Sequence, residues 1–289
     1  MKEIVILSGK GGTGKTSITA SFAALADKPV LVDCDVDAAD LHLVLEPKKT
    51  EAHEFMGGRA ATIDADKCTA CGACAEACRF DAISEHDGCY RVDEMECEGC
   101  GVCGLVCPAD AIDLADTVSG QWFLSQTRFG PMVHARLSAG GENSGKLVTL
   151  IRKQAREVAQ EAGSQLIITD GPPGIGCPVI ASLADADHVV VVTEPTVSGI
   201  HDLQRVAKLT VHFHVPASII INKYDINEEK AAEIDGFAKS HGIEVLGRVA
   251  YDPVVTAAQL EGKSIVEYCS AGISDALRDI WGRVSRIIN

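Results

Sequence analysis

The 289-residue sequence predicts a doubly wound, mostly parallel α/β sheet interrupted by a small cysteine-rich α+β domain. Three observations carry this expectation. Short β-branched runs, IVIL, VLVD, LIITD, HVVVVT and SIIIN, recur along the chain, and they are apolar on both faces, as strands covered on both sides must be. Acidic residues close several of these runs, at the strand C-termini where such a sheet opens its ligand crevice. Between residues 50 and 120 the pattern stops, and nine of the twelve cysteines fall there. The length suits one large domain with a small insert: residues 1–60 and 117–289 as the α/β domain, 61–116 as the insert.

The first element decides the chemistry. Residues 1–16 read as strand, loop and helix start, and Gly9, Gly14, Lys15 and Thr16 satisfy G-x-x-x-x-G-K-[ST]. In such a P-loop the backbone N–H groups of Gly11, Gly12, Thr13, Gly14 and the helix start at Lys15, Thr16 and Ser17 curl around phosphates. Lys15 is expected on the β/γ-phosphates and the Thr16 hydroxyl on Mg²⁺. The next strand ends on Asp33 and Asp35. A later strand ends on Asp170, a carboxylate for the metal's water shell, and another on Asn222, whose amide can read an adenine edge.

With these residues in place the chain resembles the MinD/ParA/nitrogenase-iron-protein ATPases. KGGTGKT resembles their deviant Walker A loop, and DCDVDAADLH, DGPPGIG, TEPT and YDPVVTAAQLEGKSIVEY match in turn. The resemblance covers residues 1 to about 50 and 140 to 289. It implies an ATPase that dimerises on ATP, as a homodimer or with a paralogue. The early lysine, Lys10, would then cross to the partner's ATP and neutralise charge developing in phosphoryl transfer, as an arginine finger does. Asp35 would orient the attacking water, Asp33 would assist the metal's water shell, and the turn after Asp170 would change path with nucleotide state.

The insert is an internal duplication. DADKCTACGACAEACRFDAI and DEMECEGCGVCGLVCPADAI are two copies of one unit, each C-x₂-C-x₂-C-x₃-C, the bacterial-ferredoxin run. In that run the fourth cysteine ligates the other cluster. The expected sets are therefore Cys68, Cys71, Cys74 and Cys107 for one [4Fe–4S] cluster, and Cys97, Cys100, Cys103 and Cys78 for the second. Pro108 follows its fourth cysteine, whereas Arg79 stands in that place in the first unit. Zinc is the rival, but it takes four ligands from two C-x₂-C pairs and leaves two triplets with displaced fourth cysteines unexplained.

Of the other cysteines, Cys34, Cys89 and Cys269 read as buried thiols. Cys177 lies where the nitrogenase iron protein has a ligand of its bridging cluster, but the loop at 130–148, with His134, Arg136, Asn143 and Lys146, has no second cysteine. No bridging cluster is expected. That loop reads as polar and glycine-rich. The C-terminal ISDALRDIWGRVSRIIN spaces Ile273, Leu277, Ile280, Trp281, Val284 and Ile288 on one face, with a polar face that is not strongly basic. It is expected to pack on the core rather than on a membrane.

The net charge of −15 argues against nucleic acid and anionic membranes as partners. Within 61–116, thirteen acids against three bases leave −10, a docking surface for a basic redox partner or a solubility feature. The opening MKEIVILSG enters a strand directly, so a signal peptide is not expected and a cytoplasmic location is. The leading expectation is an ATP-hydrolysing dimer coupling ATP and Mg²⁺ to electron transfer through two [4Fe–4S] clusters. The alternatives are a scaffold or metallochaperone serving a metalloprotein client, and a positioning ATPase with structural clusters.

Overall fold

The computed structural model describes residues 1–138, 140–141 and 143–288. In chain order the elements are β1 (Lys2–Ser8), α1 (Lys15–Leu25), β2 (Val30–Asp33), α2 (Leu41–Leu45), β3 (Lys48–Ile63), α3 (Ala73–Ala77), β4 (Ile83–His86), β5 (Cys89–Val92), α4 (Val102–Val106), β6 (Ile112–Gln126) and β7 (Pro131–Leu137). They continue with α5 (Ser144–Ala162), β8 (Leu166–Pro173), α6 (Cys177–Leu183), β9 (His188–Thr193), α7 (Val197–His212), β10 (Ala217–Asn222), α8 (Glu228–Ser240), β11 (Glu244–Val249), α9 (Val254–Leu260), α10 (Ile265–Tyr268) and α11 (Ile273–Ile288).

Among the described residues, nine strands form one sheet in the order β11-β10-β9-β1-β8-β2-β7-β6-β3. The pairs from β11 through to β7 are parallel. Side chains alternate between its faces with the period of two that a pleated strand imposes. Ile4, Ile6, Val190, Val192 and Ile220 face a core shared with Phe22 of α1 and Leu277 and Ile280 of α11. Val5, Leu7, Val189, Val191, Ile219 and Ile221 face the opposite core, with Leu203 of α7 and Ile234 of α8. Both faces are covered, which is why the strands read as unbroken apolar runs.

The C-terminal helix packs as its spacing predicts. Ile273, Leu277, Ile280 and Val284 are buried, and the Trp281 ring lies 5.1 Å from that of Phe22. Among the described residues, no helix is long and apolar enough to cross a membrane. Deep in the sheet, Glu3 accepts from Arg152 Nε at 2.7 Å and from Thr169 Oγ1 at 3.0 Å.

The chain divides into two compact units. The first comprises Met1–His53, Trp122–Arg136 and Ser144–Asn289; the second comprises Glu54–Gln121 and Leu137–Asn143. The second is thus wider than the 61–116 read from the sequence, because β3 and β6 are long and contribute to both units. Most of β3 is exposed or half-exposed, so no apolar alternation marks it. The segment 130–148, read as a loop, is strand along Pro131–Leu137 and helix from Ser144, and Ala139 and Glu142 lie outside the described residues.

Within the second unit the duplication is repeated in the backbone. The helices α3 and α4 stand 29 positions apart, as do three pairs of left-handed residues, Ala70 and Gly99, Gly72 and Gly101, and Asp81 and Asp110. The halves are also cross-tied. Asp64 donates its N–H to the carbonyl of Ala111, and Asp93 donates to Ala82, both at 2.8 Å.

Candidate nucleotide site and the cysteine cavities

The P-loop leaves β1 and closes on α1. Gly14, at φ 89°, is the N-cap residue of that helix. A Cβ there would stand 2.3 Å from Asn222 Nδ2, so only glycine allows both the left-handed turn and the close approach. Asn222 Nδ2 donates to the carbonyl of Thr13 at 2.7 Å, and Lys223 Nζ donates to that of Gly12 at 2.8 Å. Two consecutive side chains from the end of β10 thus take two consecutive carbonyls of the loop. Asn222 was expected to offer its amide to a base; here that amide nitrogen holds the loop.

The loop opens on a cleft of about 470 Å³ lined by Gly11 to Ser17, Asp35, Asn222, Tyr251, Asp252 and Gln259, within the usual size of a small-ligand site. At its floor Lys15 Nζ lies 2.7 Å from Asp170 Oδ2. Thr16 Oγ1 donates to the same oxygen at 2.8 Å, and Thr19 Oγ1 to Oδ1 at 2.6 Å. Burial works to lower the Lys15 pKa, but the Asp170, Asp33 and Asp35 carboxylates outweigh it and hold the ammonium above its ordinary value.

Asp33, the last residue of β2, and Asp35, two residues on, have different surroundings. Asp33 is fully buried and accepts the N–H groups of Asp35 and Leu41. Burial first, and then the neighbouring Asp170, push its carboxyl up to about 8. It is outside the cleft lining, and the two N–H groups it accepts fix the turn into α2. Asp35 lines the cleft and is pushed up to about 6, chiefly by burial.

Lys10 is outside the cleft lining. Its ammonium lies 2.6 Å from Glu194 Oε1 and donates to Ser198 Oγ at 3.0 Å and Thr196 Oγ1 at 3.3 Å. The other Glu194 oxygen accepts from Lys223 at 3.2 Å.

Thr19, Glu194, Lys223 and Gln259, which donates to Ser17 Oγ at 2.9 Å, were not assigned roles from sequence. Thr19 could have been found, four residues beyond Lys15 on the same helix face. The others come from strand and helix ends that only the fold brings to the loop.

In the second unit Cys68, Cys71, Cys74 and Cys107 line one small cavity with Gly72 and Tyr90. Cys78, Cys97, Cys100 and Cys103 line another with Gly101. Backbone N–H groups reach the thiols from Ala61 to Cys97 and from Ala111 to Cys107, both at 3.4 Å. Burial raises the pKa of the equivalent thiols Cys74 and Cys103, whereas the N–H groups of Ala70 and Tyr90 lower that of Cys68. Among the described residues, no three His, Cys, Asp or Glu side chains converge tightly enough to hold a single metal ion. Cys177 is exposed at the start of α6 in the first unit.

The CobQ/CobB/MinD/ParA nucleotide binding domain family matches residues 4–265. The chain belongs to this family. Among its relatives, the Methanocaldococcus jannaschii protein MJ0578 is 38% identical over 228 residues, covering 78% of this chain and 79% of that one. The Bacillus subtilis septum site-determining protein MinD is 24% identical, covering 97% and 88%. Among solved structures, the Pyrococcus furiosus cell division ATPase MinD is similar at TM-score 0.59 and 20% identity, over 99% of both chains. Pyrococcus horikoshii MinD, solved with Mg-ADP, is similar at TM-score 0.60 and 18% identity, over 99% of this chain and 96% of that one. The chain is a MinD/ParA-type nucleotide-binding ATPase with the doubly wound sheet of that family.

Proposed function

We propose that this ATPase pairs with a second copy of itself, or with a paralogue, when Mg-ATP fills the cleft, and that its second unit carries two [4Fe–4S] clusters. The observation that carries the first half is the Lys15–Thr16–Asp170 cluster under a glycine loop. One oxygen of Asp170 is shared by a phosphate-type lysine and a metal-type hydroxyl, the pairing that Mg-nucleotide would exchange for its own charges. Lys10 is the residue assigned to the partner's ATP. A paralogous pairing draws support from a second Methanocaldococcus jannaschii relative, MJ0579, 24% identical to this chain.

The cluster half rests on the two cavities, each lined by three cysteines of one repeat and the fourth of the other. Cys68, Cys71, Cys74 and Cys107 would hold one cluster, and Cys97, Cys100, Cys103 and Cys78 the second. All-thiol donor sets with N–H groups aimed at sulfur fit such a group. When bound, the clusters supply one-electron chemistry.

Similarity to septum site-determining MinD proteins favours the positioning reading, in which the clusters are structural. Electron transfer keeps one observation of its own: Cys71 and Cys100, one at each cavity, are exposed, which would leave each cluster an edge toward solvent.

Protein purified without oxygen tests this. About eight irons per chain are expected for two four-iron clusters; zinc, or no metal, refutes the cluster half. EPR with ATP, with ADP and with neither separates the roles. Unchanged signals mean structural clusters, and a potential that moves with ATP means electron transfer. Lys10→Ala is expected to bind nucleotide and lose most hydrolysis; normal turnover refutes the trans-acting lysine.

A further inference from the structure

We propose that Glu194 is a positioning residue that parks Lys10 against its own chain, so that pairing must first break a contact within the subunit. This rests on the reading of Lys10 as the residue that acts in the partner's site.

The geometry is specific. Glu194 follows the last residue of β9, and its side chain is 14% exposed, so its charge is largely removed from water. One carboxylate oxygen takes Lys10 at 2.6 Å and the other takes Lys223 at 3.2 Å. Lys223 in turn holds the Gly12 carbonyl. The backbone beneath Lys10 is fixed as well. Ser8 Oγ donates to the Lys10 carbonyl at 2.8 Å, and a Cβ on Gly9 would stand 2.2 Å from Asp202 Cβ of α7. The backbone on either side of Lys10 is thus packed against α7 and tied to Ser8. Lys10 leaves by rotation of its side chain out of the Glu194–Thr196–Ser198 cradle.

A carboxylate in that cradle competes with the phosphates of a second subunit for one ammonium. With ATP in the partner, the larger charge and a closed interface outbid Glu194. With the partner empty, Lys10 stays where it is. Glu194 and Lys223 remain paired in either case, so the loop carbonyls stay held while Lys10 is released. The device makes pairing conditional on nucleotide in the other chain without altering the cleft.

The test uses the full-length protein with a slowly hydrolysed ATP analogue, dimerisation being read by analytical ultracentrifugation. Glu194→Gln keeps the shape and removes the charge. It is expected to tighten the dimer by about two- to fivefold, the range of a part-exposed ion pair. In Lys10→Ala, adding Glu194→Gln is expected to change nothing, because the competition has no object. Lys223→Met, which loosens the loop without freeing Lys10, is expected to weaken nucleotide binding and not to tighten the dimer. Dimerisation that is equal or weaker in Glu194→Gln overturns the proposal, as does an equal tightening by Glu194→Gln in the Lys10→Ala background. Normal turnover in Lys10→Ala would instead overturn the trans-acting lysine, so the two failures are distinguishable.

Discussion

Asp170→Asn removes the charge that faces Lys15 and leaves the side-chain shape. The Lys15 side chain is 7% exposed and that of Asp170 is 1% exposed, so the pair is buried. Removing one member of such a pair costs about 3–5 kcal/mol, because the other charge stays behind unpaired. Here a second acid stands ready. Asp33 is fully buried, interacts with Lys15, and is held protonated to about pH 8 by burial and then by Asp170 itself. Once Asp170 is neutral, that repulsion is gone and Asp33 ionises at lower pH to face Lys15. The expected cost of Asp170→Asn at pH 7 is therefore reduced to about 2 kcal/mol, or about 4–8 °C in Tm at about 2–4 °C per kcal/mol. Asp33→Asn alone weakens the acceptance of two backbone N–H groups and costs about 1 kcal/mol. The double variant has no acid left to substitute and should reach about 5 kcal/mol, more than the sum of the singles. Thermal unfolding of the four nucleotide-free proteins measures the cycle. Additive losses would refute the idea that Asp33 takes over.

The remaining predictions concern charge and sulfur. The folded-state pKa of Asp33 lies above its unfolded value, so its stabilising effect is full below about pH 4 and is lost as the pH rises to about 8. Asp33→Asn should flatten that part of the stability–pH curve, and identical curves would dismiss the buried proton. ATP hydrolysis should fall as the pH drops through about 6, where Asp35 takes up its proton, and Asp35→Asn should remove most of the activity at every pH. Glu3→Gln leaves Arg152 buried without its carboxylate; the expected loss is about 3 kcal/mol by urea unfolding, with nucleotide affinity unchanged. Cys107→Ser should halve the iron and abolish the same EPR signal as Cys68→Ser, whereas Cys78→Ser should match Cys97→Ser; the opposite grouping would refute the crossed assignment.

What was legible in the sequence was whatever lies in one stretch. Gly9 to Ser17 carry the loop, its lysine and its hydroxyl on adjacent positions, and the repeated cysteine run states its own crossed pairing through the displaced fourth residue. The apolar runs named the sheet because both of its faces are buried. Contacts assembled from distant ends were not legible. Asn222 and Lys223 lie at and just past the end of one strand and Glu194 just past the end of another, and nothing local says that the first two close on loop carbonyls or that the third holds Lys10. The strands β3 and β6 escaped for a different reason. Long polar strands with few buried positions lack the alternation by which a strand is recognised, so the edges of the insert were set too narrowly.

The cross-ties between Asp64 and Ala111 and between Asp93 and Ala82 have a consequence for biogenesis. A ribosome releases the chain in order, and the first thiol set stays incomplete until Cys107 emerges, 29 residues after Cys78. Each cavity draws cysteines from both repeats, so on the proposed cluster reading loading of either would wait for both, and a truncation between the repeats would abolish the two together.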